Sequence, residues 1–184
     1  MGRVRRAELL PLEYIATRPP AMEATYRRLQ EIAWDIIRRA FSREVITPGV
    51  TTTDDVAWWT RQRLSDLGLA TWFHTAVDIQ RRGVDDPASL GSSPVIMPGD
   101  VLHIDFGVSA MGLKTDTQHL AYVVRPGETD APAGLKAALA NSNRLQDIVM
   151  TEIRAGRTGN EVLHASLARM RAEGIAGTVY THPI

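Results

Sequence analysis

The chain has no cysteine, which excludes disulfides, thiolate metal sites and a cysteine nucleophile. Its 21 basic and 21 acidic residues give a formal net charge of zero. It therefore lacks the basic excess with which proteins attract nucleic acid or an anionic membrane surface. No stretch approaches the roughly 20 apolar residues that a membrane helix needs. These absences predict no nucleic-acid partner, no membrane partner and, by default, a cytoplasmic protein.

The first 20 residues also lack the continuous apolar segment of a signal peptide, since Glu8 and Glu13 interrupt them. They show no periodicity and end in Arg18-Pro19-Pro20. We therefore interpret residues 1–20 as a lead-in or an interdomain linker. In the whole chain 44% of the residues are apolar, so residues 21–184 can form one domain with a hydrophobic core.

Helical patterns occupy both ends of that domain. Apolar residues at steps of three and four predict a helix that ends near Phe41. Thr52 followed by Asp55 predicts a capping box for a second helix, which runs to about Leu67. A third apolar stripe precedes Gly156, and Thr158 with Glu161 predicts another capping box, for a helix closed by Gly174. The predicted core consists of Leu29, Ile36, Val56, Trp59, Ile104, Phe106, Leu139, Val149 and Leu167.

The middle of the chain predicts a β-hairpin. Two apolar-rich segments, 101–108 and 115–124, flank a short Ser-Ala-Met-Gly connection. If the hairpin is symmetric about residues 110 and 111, Asp105 and Asp116 lie directly opposite each other on one face. Directly opposed residues have Cβ atoms about 4.5–5.5 Å apart, and like charges there are destabilising.

Three interpretations of this aspartate pair are open. The two residues are solvated at an edge, or one is protonated through a raised pKa, or a cation lies between them. Leu102, Ile104 and Phe106 alternate with Asp105 and give its strand one apolar face. A charge within such a hydrophobic run is costly, which favours the cation.

The string MPGDVLHIDFG contains Asp105, and Asp116 follows Asp105 by eleven residues. Together they resemble the paired-aspartate hairpin of the pita-bread metallopeptidases. That family includes methionine aminopeptidase, aminopeptidase P and prolidase. The segment Tyr180-Thr181-His182-Pro183-Ile184 resembles the start of the string that carries the family's metal-binding histidine. The resemblance implies an α+β pita-bread fold, largely its N-terminal half: a helix pair, the hairpin, further helices and the start of another strand. It also implies the metal ligands Asp105, Asp116 and His182.

The resemblance further implies a function. Two divalent ions, Mn, Co, Zn or Fe, would supply a hydroxide that attacks a peptide bond, in an aminopeptidase or Xaa-Pro peptidase. The sequence has no counterpart of the family's two glutamate ligands, and residues 87–90 read Pro-Ala-Ser-Leu where relatives usually carry a histidine. We therefore expect a catalytic domain truncated at its C-terminal end, which by itself binds metal weakly and hydrolyses no peptide.

Two alternatives share this fold. One is a metal-free, creatinase-like hydrolase, against which the retained aspartates argue. The other is a non-enzymatic binding module, which the missing glutamates favour and the aspartates disfavour. An open sheet that ends at Ile184 would leave an unpaired edge and an uncovered apolar face, and both would favour self-association, for example as a homodimer.

Overall fold

The computed structural model describes residues 6–179, which form helices and antiparallel strands in two compact units, Met1–Gly127 and Glu128–Ile184. In the first unit the elements are α1 (Leu10–Ala16), α2 (Ala21–Ala40), α3 (Thr53–Asp66), β1 (Ala76–Gln80), a 3-10 turn (Pro87–Leu90), β2 (Val101–Phe106), β3 (Ser109–Ala110), β4 (Leu113–Lys114) and β5 (Thr117–Tyr122). In the second unit they are α4 (Ala133–Glu152) and α5 (Gly159–Ala172).

The helices begin and end largely where local chemistry predicts. Helix α2 ends at Ala40, one residue before Phe41. The capping boxes of α3 and α5 are both present, because the side chains of Thr52 and Thr158 each accept a hydrogen bond from the backbone of the predicted acidic residue. Gly174 follows α5 with φ +69°, the left-handed conformation that glycine adopts without strain. The short helix α1 was not predicted, and none of its residues is buried.

The core of the first unit lies between two helices and one face of a three-stranded sheet. The sheet has the order β1-β2-β5, and both pairings are antiparallel. Helix α2 packs against α3, β2 and β5, and α3 packs against β1. The buried side chains at this interface include Leu29, Ile36, Val56, Ile104 and Phe106, which confirms five of the predicted core residues.

The register of the hairpin differs from the prediction. Asp105 pairs with Gln118, so it does not lie directly opposite Asp116. The turn consists of Met111 and Gly112, both with positive φ, and it centres the hairpin one residue further along than predicted. Moving the centre by one residue changes each pairing by two residues, and side chains alternate with period two. Asp116 therefore stays on the Asp105 side of the sheet, two residues from the direct partner of Asp105.

Helix α3 ends at Asp66 with Leu67 as its C-cap, close to the predicted end. Trp72 and Phe73 lie in a bend before β1. One predicted core residue is corrected. Leu139 on α4 is 48% exposed, whereas Ile148 is the buried residue of that helix. Helix α4 has 20 residues and its neighbour α5 has 14, so α5 can cover only part of α4.

The remaining core predictions have mixed outcomes. Trp59, Val149 and Leu167 are half-buried. The further strand predicted at the end of the chain, with Tyr180 and His182, lies outside the described residues. Within residues 6–179, no helix has both the length and the apolar character needed to cross a membrane.

Candidate metal centre

Asp105 lies on the face of the sheet that the helices leave open. Along β2 the burial alternates, so that Leu102, Ile104 and Phe106 are buried against the helices. Asp105, like His103, points to the other side and is half-buried. The strand therefore positions the Asp105 carboxylate on the open face, with the hydrophobic core directly behind it.

A chain of polar side chains crosses this open face and ends at Asp105. The Gln118 amide nitrogen donates to Asp105 Oδ2 at 3.3 Å, and Gln118 Oε1 lies 3.1 Å from His103 Nε2. His103 Nδ1 is in turn 3.4 Å from Asp78 Oδ2 on β1. Because Gln118 uses its amide nitrogen for Asp105, its oxygen is oriented to accept the proton of His103 Nε2. The three strands thus jointly orient one carboxylate.

Asp116 is positioned differently, just before β5 and outside the regular ladder. The residue before it, Thr115, is fully buried. Thr115 donates its amide to the Val108 carbonyl at 2.8 Å, and its hydroxyl accepts the Val108 amide at 2.9 Å. The Thr115 carbonyl accepts the indole N–H of Trp72 at 2.8 Å. Asp116 is itself half-buried, so its backbone is fixed while its side chain keeps access to solvent.

The third aspartate of the motif, Asp100, has a structural environment. It is 1% exposed and accepts the Nε and Nη2 groups of Arg81 and the Met97 amide, each at 2.8 Å. The hydrogen bonds that Arg81 donates to the Asp100 carboxylate raise the pKa of Arg81. Both Asp100 oxygens are thus used inside the fold, so this carboxylate is not available to a metal.

The histidines of the first unit other than His103 do not join the aspartates. His119 lies on the helix side of β5 with its ring centroid 3.9 Å from that of Trp34, and burial lowers its pKa. His74 contacts Arg61 and Trp58 of α3.

The donor set partly fits a divalent metal. Carboxylate oxygens suit divalent cations. Residues in the diagonal relation of Asp105 and Asp116 are typically about 7–8 Å apart, with a somewhat shorter distance between their Cβ atoms. This spacing leaves more room between the carboxylates than direct opposition would. Within residues 6–179, no group of three or more histidine, aspartate or glutamate side chains could hold a metal ion. The third predicted ligand, His182, lies outside the described residues.

Comparison with known proteins assigns the family. The model of metallopeptidase family M24 matches residues 24–184, so the chain belongs to this family of metallopeptidases. A search of curated proteins found no match.

Solved structures of peptidases share the fold. Prolidase from Pyrococcus furiosus has a TM-score of 0.72 at 17% identity, over 92% of this chain and 48% of its own. The Xaa-Pro dipeptidase from Bacillus anthracis has a TM-score of 0.70 at 20% identity, over 90% of this chain and 44% of its own. For the X-Pro aminopeptidase from Thermotoga maritima the TM-score is 0.61 at 21% identity, over 83% of this chain and 42% of its own.

This chain thus spans less than half the length of these three proteins. The pita-bread fold predicted from the aspartate hairpin is confirmed.

The residues that support the two aspartates were not predicted from the sequence. Gln118 and His103 each lie two residues from an aspartate along their strands, and therefore on the same face, so this spacing could have revealed them. Trp72 could not have been found by spacing alone, because it contacts Thr115 from 43 residues away. The signal that was present is Gly107, two residues after Asp105, since a glycine close to a functional residue indicates a close approach of another group.

Proposed function

We propose that this chain provides the first two metal ligands, Asp105 and Asp116, of a two-metal peptidase that removes N-terminal residues or cleaves Xaa-Pro bonds. The observation that carries the proposal is the diagonal placement of two carboxylates on the open face of the β2 and β5 pair, against a buried core. Membership of family M24 and the Xaa-Pro substrates in the names of two similar structures support the substrate class.

The two aspartates and His182 would have different roles in this site. Asp105, oriented by Gln118, and Asp116, oriented by the backbone of Thr115, would together hold two divalent ions, with His182 as a further ligand. Bound there, the ions would lower the pKa of a water molecule and polarise the scissile carbonyl. The hydrogen bond from Gln118 would hold the Asp105 carboxylate in one rotamer and so reduce the entropy that is lost on binding.

Calorimetry with Mn²⁺ and Zn²⁺ on the 184-residue chain tests the ligand assignment. We expect weak binding that Asp105→Asn and Asp116→Asn each abolish, because asparagine keeps the shape of the side chain and removes its charge. The matched control is Asp85→Asn, since Asp85 is exposed in the segment between β1 and β2. His182→Ala should weaken binding without abolishing it.

Two outcomes would contradict the proposal. One is equal binding by the parent chain and both aspartate variants, which would remove Asp105 and Asp116 from the ligand set. The other is no binding by the parent chain at millimolar metal, which would favour the metal-free alternative.

In a parallel assay with an Xaa-Pro dipeptide, we expect no turnover by the chain alone, because residues 6–179 supply only two carboxylates to the centre.

A further inference from the structure

We infer that Trp72 is a positioning residue for Asp116, acting through the carbonyl group of Thr115. This inference rests on the proposed metal site, since it assigns a role to a neighbour of one proposed ligand. It does not follow from the family motif, because Trp72 lies 33 residues before Asp105 and outside the aspartate hairpin.

The first step is the geometry of the peptide group that joins Thr115 to Asp116. The indole nitrogen of Trp72 donates to the Thr115 oxygen at 2.8 Å. A peptide unit is planar, so this oxygen and the Asp116 Cα lie in one rigid plane. Holding the oxygen therefore restricts the direction in which the Asp116 side chain leaves the backbone.

The second step is that this part of the backbone needs such a bond. Residues 115 and 116 lie between β4 and β5, outside the regular ladder. Thr115 compensates with two hydrogen bonds to Val108, which fix its amide and its hydroxyl. The Trp72 indole completes the set by fixing the carbonyl, the group closest to Asp116.

Gly107, the residue that follows β2, makes space for the indole. A Cβ added to Gly107 would lie 2.6 Å from Trp72 Nε1, 2.7 Å from the Thr115 oxygen and 2.5 Å from a ring carbon of Phe73. Distances below about 3 Å are steric overlaps. Gly107 does not have a positive φ, so the position requires glycine for space and not for backbone conformation.

The exposure of Trp72 distinguishes this role from ordinary core packing. Trp72 is 42% exposed, so its ring contributes less to the core than a buried tryptophan would. Its other ring contacts are Phe73, edge to face, and the Lys114 ammonium, 5.4 Å from the ring centre. The directed hydrogen bond is thus the most specific contact of this side chain. Trp58 offers a matched control, since it is 60% exposed and its ring contacts Arg61 and His74.

The first test uses the metal-free parent chain and nuclear magnetic resonance. The indole N–H of Trp72 should exchange with solvent at least tenfold more slowly than that of Trp58, because it is held by the Thr115 carbonyl. Trp72→Phe keeps a ring and removes the donor, so it should accelerate amide exchange at Asp116. Trp58→Phe should leave that exchange unchanged. An unprotected Trp72 indole, or unchanged exchange at Asp116 in Trp72→Phe, would overturn the inference.

The second test adds Zn²⁺. Loss of an outer-shell partner typically weakens metal binding by roughly 10- to 100-fold, and we expect this loss in Trp72→Phe but not in Trp58→Phe. Zn²⁺ should also shift the Trp72 indole resonance of the parent chain, and Asp116→Asn should abolish the shift. Equal Zn²⁺ affinity in the parent chain and Trp72→Phe would overturn the inference.

The two proposals can fail separately. If the parent chain binds no Zn²⁺, the metal site fails, while the exchange measurements still decide whether Trp72 holds Asp116. If Trp72→Phe does not fold, Gly107→Ala serves as a second variant. Its methyl group should push the indole away from the Thr115 oxygen, although residue 72 is still tryptophan. It should accelerate exchange at Asp116 in the same way, and normal exchange there would count against the inference.

Discussion

Replacing Arg81 by methionine should destabilise the first unit more than replacing its partner Asp100 by alanine. Asp100 is 1% exposed, whereas 28% of the Arg81 side chain reaches solvent. Methionine keeps much of the apolar stem of Arg81 and removes the guanidinium. The variant therefore leaves a carboxylate buried without its cation, while Asp100→Ala leaves a cation that water can still reach.

The size of the effect follows from these contacts. Removing one partner of a buried ion pair typically costs about 3–5 kcal/mol. Asp100 keeps the hydrogen bond from the Met97 amide, so for Arg81→Met we expect the lower end, about 3 kcal/mol. For Asp100→Ala we expect about 2 kcal/mol, mainly from the lost hydrogen bonds to the Met97 amide and the guanidinium. Replacing both residues by apolar ones should recover part of the loss, since no unpaired charge then remains.

Urea unfolding followed by tryptophan fluorescence measures these changes. All four tryptophans, Trp34, Trp58, Trp59 and Trp72, belong to the first unit, so the signal reports the part of the chain that contains Arg81 and Asp100. The reasoning is wrong if Asp100→Ala destabilises more than Arg81→Met. It is also wrong if Arg81→Met costs less than about 1 kcal/mol, the typical contribution of one ordinary hydrogen bond.

Two further predictions concern acid stability and packing. Hydrogen bonds from Arg144 and Arg169 lower the pKa of Glu173 to about 2, from an ordinary value of 4.5. The stabilising effect of the ionised Glu173 should therefore be complete above pH 4.5 and be lost as the pH falls toward 2. Circular dichroism should show that the stability of Glu173→Gln depends less on pH in this range than that of the parent chain. An unchanged pH dependence would contradict the assignment. Gly107→Ala should destabilise by about 1–3 kcal/mol through steric overlap and change the near-ultraviolet dichroism of the tryptophans. Gly134→Ala, where a Cβ would meet no atom within 4 Å, lies in the second unit and should be neutral or stabilising when urea unfolding is followed by far-ultraviolet circular dichroism. A loss equal to that of Gly107→Ala in the same assay would refute the steric argument.

The sequence predicted best the features that are decided within a few residues. Each capping box joins residues only three apart, so Thr52 and Thr158 correctly marked the starts of their helices. The alternation along β2 correctly separated its buried face from the face of Asp105. In both cases the physics is local and the side-chain pattern records it directly.

The prediction of the hairpin register was wrong because the register depends on the turn. A two-residue turn with positive φ at both positions is usually signalled by Asn-Gly or Asp-Gly. Here the turn is Met111-Gly112, and methionine carries no such signal. The predicted centre was therefore one residue too early, and Asp116 was predicted as the direct partner of Asp105, where the structure has Gln118. For this reason the hydrogen bond from Gln118 that orients Asp105 was not predicted.

The hydrogen bonds described for the two aspartates come from different side chains, and the small number of carboxylates limits what residues 6–179 can do chemically. Asp105 is oriented through Gln118 and His103, and Asp116 through Thr115 and Trp72. In the proposed metal site, these hydrogen bonds would position the two carboxylates before a metal ion binds. Two carboxylates nevertheless cannot complete a two-ion centre, because transition-metal ions in proteins usually have four or more ligands each. Any two-ion centre built on this face must therefore draw further ligands from outside residues 6–179, and the metal affinity of His182→Ala measures how much the predicted histidine contributes.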